Sequence, residues 1–85
     1  MPGADLIEQG LRDLASGSET IASLLVSIGA PRLLQLGIAV RNPFPGSEHR
    51  LYAMLSRDDV DSAHSRYNAL IRRLVSLERA LACAR

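Results

Sequence analysis

Eighty-five residues and 9.2 kDa allow one domain, residues 1–85, with a core that buries only about 60–65% of the unfolded chain's surface. Hydrophobic residues make up 47% and charged residues 22%, which excludes a disordered tail. Ten basic against nine acidic residues give a net charge of +1, a balance that argues against a dedicated polyanion binder.

Helical periodicity dominates the chain. From Asp5 to Ala15, Ile7, Leu11 and Leu14 repeat at helical spacing, with Leu6 beside them, and Ser16-Gly17 ends the segment. Ser18 is the expected N-cap of a second helix, with Glu19 in its first turn, where a carboxylate suits the helix dipole. Ile21, Leu24, Leu25 and Ile28 form its apolar stripe, and Gly29 is the expected residue just past its end. Pro31 opens a short third helix carrying Leu33, Leu34 and Leu36 to Gly37. Ile38-Ala39-Val40 reads as a brief extended piece. Asn42-Pro43-Phe44-Pro45-Gly46 cannot be helical, because its two prolines fix φ and restrict the residues before them. Ser47 is the expected cap of a fourth helix, with Leu51, Tyr52 and Leu55 on one face. Asp58 and Asp61 resemble a capping box for a final helix over residues 59 to 83, about 37 Å long. The predicted fold is an all-α compact bundle of four to five helices with a long C-terminal helix. Its core is expected to include Leu11, Leu14, Leu24, Leu25, Ile28, Leu51, Leu55, Leu70 and Leu74.

One cysteine, Cys83, excludes an intrachain disulfide and a zinc site built on two or more cysteines of one chain. It lies near the chain end with no activating neighbour, so it reads as a small apolar residue, and a reducing cytoplasm is the expected compartment. The start has no positive region followed by an apolar run, so no secretory signal is expected. The most apolar stretch, residues 21 to 40, is interrupted by Gly29, Pro31, Arg32, Gln35 and Gly37, so no membrane helix is expected. Every basic residue is arginine, which with the many Ala and Leu residues points to a GC-rich bacterial source.

Five constellations bear on function. Ile21-Ala22 and Leu25, a break at Gly29 and a helix from Pro31 loosely follow a helix-turn-helix, but only Arg32 and Gln35 could read bases, and two packed core helices explain the pattern as well. Arg57 and His64, six residues apart at a helix start with Tyr67 three further on, resemble the Arg-x(4–6)-His motif of HEPN ribonucleases over about ten residues. The resemblance implies His64 as general base and Arg57 as phosphate clamp at a dimer interface. The plainer reading is an Arg57–Asp61 pair and a solvent-facing His64. Asp58, Asp59, Asp61 and His64 cluster in seven residues, but carboxylates in a first helical turn serve the dipole, and His49 is distant in sequence. No metal site and no cofactor are expected. Residues 65 to 85 carry Arg66, Arg72, Arg73, Arg79 and Arg85 against Glu78, while residues 1 to 30 carry Asp5, Glu8, Asp13 and Glu19 against Arg12. A basic strip of this kind could touch nucleic-acid phosphates; the preferred expectation is that the two regions complement one another, within one chain or across a dimer. Finally, Phe44 either pins the proline loop over the bundle or serves as an exposed anchor for a partner.

The C-terminal helix carries the sharpest expectation. Val60, Ala63, Tyr67, Leu70, Leu74, Leu77, Leu81 and Ala84 alternate by three and four, a sustained heptad register. Ile71 and Val75 widen the stripe, so that one seam can face the chain's own helices while another side faces a partner, and packing of the whole seam within one chain is the alternative. Arg66, Arg73 and Glu78 have no opposite charge three or four positions away, and Arg73 at g with Glu78 at the following e has the spacing of an interhelical pair in a parallel dimer. The expected function is therefore non-enzymatic: self-association as a homodimer, or docking on another protein. A nucleic-acid-binding module using Arg66, Arg72, Arg73 and Arg79, or a HEPN-like ribonuclease, is the alternative.

Overall fold

The short second helix, α2 (Ile21–Ile28), is built from residues that water repels, and it becomes the centre of the molecule. The structure, a computed structural model, describes residues 4–83. Around α2 are α1 (Ala4–Ala15), α3 (Ala30–Gln35), α4 (Ser47–Asp58) and the long α5 (Ala63–Cys83). No strand occurs among the described residues, and the fold is the expected all-α bundle with a long C-terminal helix. Ala22, Ser23, Leu24, Leu25, Val26 and Ser27 are all buried, so α2 has no solvent face along its middle. α1, α3, α4 and α5 each pack against it, and α4 also packs against α5.

Close approach explains the α1–α2 contact. A Cβ on Gly10 would stand 2.5 Å from the Ala22 carbonyl oxygen and 2.7 Å from Val26 Cγ1, so only glycine lets the two backbones meet. Gly29 follows the same logic with a different neighbour. Its φ of −82° needs no glycine, but a Cβ there would press on Leu74 Cδ1 at 3.0 Å and on Glu78 Oε2 at 3.3 Å.

The helix ends differ from the expected ones. Thr20, not Ser18, caps α2: Thr20 Oγ1 accepts from the Ser23 N–H at 3.1 Å and Ser23 Oγ accepts from the Thr20 N–H at 2.7 Å, a capping box with serine in the Glu/Gln position. Thr20 is selected because its hydroxyl also donates to Asp13 Oδ2 at 2.7 Å, which ties the end of α1 to the start of α2. Ser47 is the first helical residue of α4, after a left-handed Gly46 (φ 61°), and its hydroxyl donates back to the Phe44 carbonyl. α5 begins at Ala63, four residues later than expected. Asp59 is extended and its Oδ1 accepts from the Asp61 N–H at 3.1 Å, so Asp58 ends α4 and residues 59–62 are a connecting turn instead of a helix start.

The core holds Ile7, Leu24, Leu25, Val26, Leu33, Leu51, Leu55, Ala63, Leu74 and Leu77. Leu11, Leu14, Ile28 and Leu70, expected inside, are only partly buried against it. Leu34 and Tyr52, placed on apolar faces by the sequence, are exposed. The proline loop is pinned to the bundle: the Phe44 N–H donates to Ser27 Oγ at 3.1 Å, the Phe44 ring packs on the core, and Arg50 lies 5.6 Å over it. Every buried side-chain nitrogen or oxygen among the described residues has a partner. No helix among the described residues is long and apolar enough to cross a membrane.

Candidate functional site

The candidate surface is α5, and its sequence decides which side faces in. Ala63, Tyr67, Leu70, Leu74, Leu77 and Leu81 recur at threes and fours, so they line one stripe. That stripe is turned towards the chain's own helices. Leu74 and Leu77 are only 4% and 3% exposed, and Tyr67, Leu70, Ile71 and Leu81 pack on the core. The heptad seam expected to meet a partner is thus occupied within the chain, because α2 and α4 present apolar faces that the seam must cover. Val60 stands apart from the helix and is 71% exposed, and Ala84 lies outside the described residues.

Glu78 also turns inward. It sits against Gly29, and burial pushes its carboxyl above the usual carboxylate range, partly opposed by the Arg32 guanidinium. The Arg32 guanidinium of α3 is thus the charge within the chain that acts on Glu78. Arg66 is likewise engaged, donating to Asp58 Oδ2 at 2.6 Å across the turn that precedes α5. Tyr67 meets Tyr52 of α4 edge to face, with ring centroids 5.7 Å apart. Burial, then the Glu48 carboxylate, raise the Tyr67 hydroxyl's pKa above its ordinary value.

The outward side of α5 has a different character. Arg72, Arg73 and Arg79 are exposed and make no ion pair among the described residues. Arg72, Val75 and Arg79 are spaced three and four apart, so they form one stripe with Val75 between two guanidinium groups. No acidic residue lies on that stripe. The acidic residues near the N-terminus do not reach it: Glu8 faces Arg12 at 3.9 Å, Glu19 pairs with Arg50 at 2.8 Å, and Asp13 is held by Thr20 and Gln9. Asp5 and Glu8 are exposed on α1. No ion pair joins the acidic first thirty residues to the basic helix among the described residues. Arg85 lies outside them.

The other candidates are placed as follows. Arg57 is exposed near the end of α4 and His64 is exposed near the start of α5. His64 Nε2 contacts the Asn68 amide at 3.2 Å, and no carboxylate is bonded to its ring. No group of three or more His, Cys, Asp or Glu side chains able to hold a metal occurs among the described residues. In α3, Arg32 donates to Gln35 Oε1 at 3.1 Å, so the two side chains offered for base reading are bonded to each other on a helix of six residues. Cys83 is exposed at the end of α5.

The sequence reading missed the approach of Glu78 to Gly29 and the Glu19–Arg50 bridge, which join residues far apart in the chain. The one available signal was the spacing itself: Glu78 falls beside Leu74 and Leu81 on the apolar stripe, where a charge needs a partner. Compared with known proteins, the chain matches no family model, no curated protein and no solved structure.

Proposed function

We propose that the protein is a non-enzymatic docking module that self-associates through the outward face of α5. The complement on the second copy is the outward edge of α1 with Asp5 and Glu8. The observation that carries this reading is the set of unpaired guanidinium groups of Arg72, Arg73 and Arg79 on a helix whose apolar stripe is already used inside the chain. A surface of one sign repels its own copy, so α5 is not expected to pair with α5. It pairs with an acidic surface, and the acidic N-terminal region of this chain leaves the basic helix unmatched. Val75, between the arginines, adds apolar area to the contact. A single cysteine supports placing this work in a reducing cytoplasm.

Exposed ion pairs contribute under about 1 kcal/mol each, so the test must alter more than one. Light scattering at micromolar concentration is expected to give twice the chain mass. Joint Arg72→Glu and Arg79→Glu substitution is expected to give a monomer of unchanged helicity, and adding Asp5→Arg and Glu8→Arg to restore the dimer. A monomer in the unsubstituted chain refutes self-association. The same arginines favour one second reading, phosphate contact with a nucleic acid. A salt-sensitive shift of a random duplex, lost with Arg72→Glu, would establish it.

A further inference from the structure

We propose that a groove beside the C-terminal half of α1 binds a small aliphatic carboxylate. The groove has a volume of about 380 Å³ and is lined by Leu11, Leu14, Ala15, Ala39, Arg41 and Asn42, the low end of the range for small-molecule sites.

Its walls follow from the local sequence. α1 is drawn onto α2 at Gly10, which leaves Leu11 and Leu14 only partly covered along one edge. The chain between α3 and α4 runs past that edge with alternating direction. Ile38 and Val40 turn in and pack on the core, while Ala39 and Arg41 are exposed. Asn42 has a φ of 53°, in the left-handed region that favours glycine, although the following Pro43 disfavours helical backbone at that position. A short polar side chain tolerates this backbone better than a branched one, and here it belongs to the groove wall.

The polar groups in the wall are unoccupied. Arg41 makes no ion pair, and neither Arg41 nor Asn42 makes a side-chain hydrogen bond among the described residues. The nearest acid along α1, Asp13, has both carboxylate oxygens engaged, one by Gln9 Nε2 at 2.9 Å and one by Thr20 Oγ1 at 2.7 Å. Asp13 is therefore committed to the α1–α2 junction and does not neutralise Arg41. The guanidinium fork matches the two oxygens of a carboxylate, and the Asn42 amide supplies a further donor. Leu11, Leu14 and the two alanines offer methyl and methylene surface for a hydrocarbon tail. One cation over an apolar floor fits a singly charged head on an aliphatic chain. A phosphate dianion would leave charge unmatched.

The test titrates the full chain, isotopically labelled, with sodium octanoate at constant ionic strength, and with 1-octanol and acetate in parallel. Octanoate is expected to saturate shifts confined to the Leu11 and Leu14 methyls and the Arg41 and Asn42 amides. Acetate and 1-octanol are expected to bind more weakly, because each lacks one half of the recognised group. Arg41→Gln, at an exposed position, is expected to fold normally and to weaken octanoate about tenfold, the size of one charge-assisted hydrogen bond, with 1-octanol unaffected. Unsaturable shifts, equal binding of octanoate and 1-octanol, or undiminished octanoate binding by Arg41→Gln overturns the proposal.

Discussion

α2 and α5 divide the molecule's work in inverse proportion to their length. α2 has 8 residues, six of them buried, and α5 has 21 residues, three of them buried. The short helix is surrounded, so its polar atoms must be satisfied locally: Ser23 closes the capping box and Ser27 Oγ donates to the Ser23 carbonyl at 2.8 Å. The long helix is a lid with an apolar underside and a charged top. Helix length here measures surface presented, whereas centrality follows from apolar residues on all sides.

Substitution separates the two regions by size of effect. Leu25→Ala removes a fully buried side chain from the middle of α2 and is expected to cost about 2–5 kcal/mol, read from urea denaturation. An equal loss from Val75→Ala on the outward face of α5 would contradict the division. Gly10→Ala comes next. Its added methyl meets the Ala22 backbone oxygen, which cannot rotate away, so a loss of about 1–3 kcal/mol is expected. Gly29→Ala meets mainly the flexible end of Leu74 and is expected to cost less, so thermal melts of the two variants rank the contacts directly. Thr20→Ala deletes both the cap of α2 and the tie to Asp13, for about 1 kcal/mol.

The smallest effect is expected at Glu78, where α5 lies against Gly29 at the end of α2. Burial raises its carboxyl pKa, so the folded chain holds that proton more tightly than the unfolded chain does. Its contribution to stability therefore falls as pH rises from the ordinary glutamate range through the raised value, and stays at the lower level above it. Glu78→Gln abolishes that fall, so its stability relative to the unsubstituted chain is expected to improve between weakly acidic and neutral pH. Parallel denaturation curves for the two proteins across that interval would show that Glu78 is not held in the folded chain as described.

Much of the architecture was legible before any tertiary information. Five helical segments, the break at the two prolines and the central place of Leu24, Leu25, Leu51 and Leu55 follow from spacing and from backbone rules that act within a few residues. Helix ends were less legible, because several hydroxyl and carboxylate residues compete to cap each one. Ser18 and Thr20 are both good caps by type, and the choice fell to Thr20 through its bond to Asp13 on another helix.

The destination of the α5 stripe was undecidable from spacing alone. Tyr67, Leu70, Leu74, Leu77 and Leu81 make the same pattern whether they face a second chain or their own. Periodicity records that a face must leave water and does not record what covers it. The covering is a question of which apolar faces the other helices leave open, and here those are faces of α2 and α4. Once they claim the stripe, Glu78 is carried inward against Gly29, and Arg72, Arg73 and Arg79 are left pointing at solvent. The amino-acid order thus set the number and kind of helices through local physics. The partners of their faces and charges were set by packing among residues distant in the chain, where hydrophobic burial has no direction of its own.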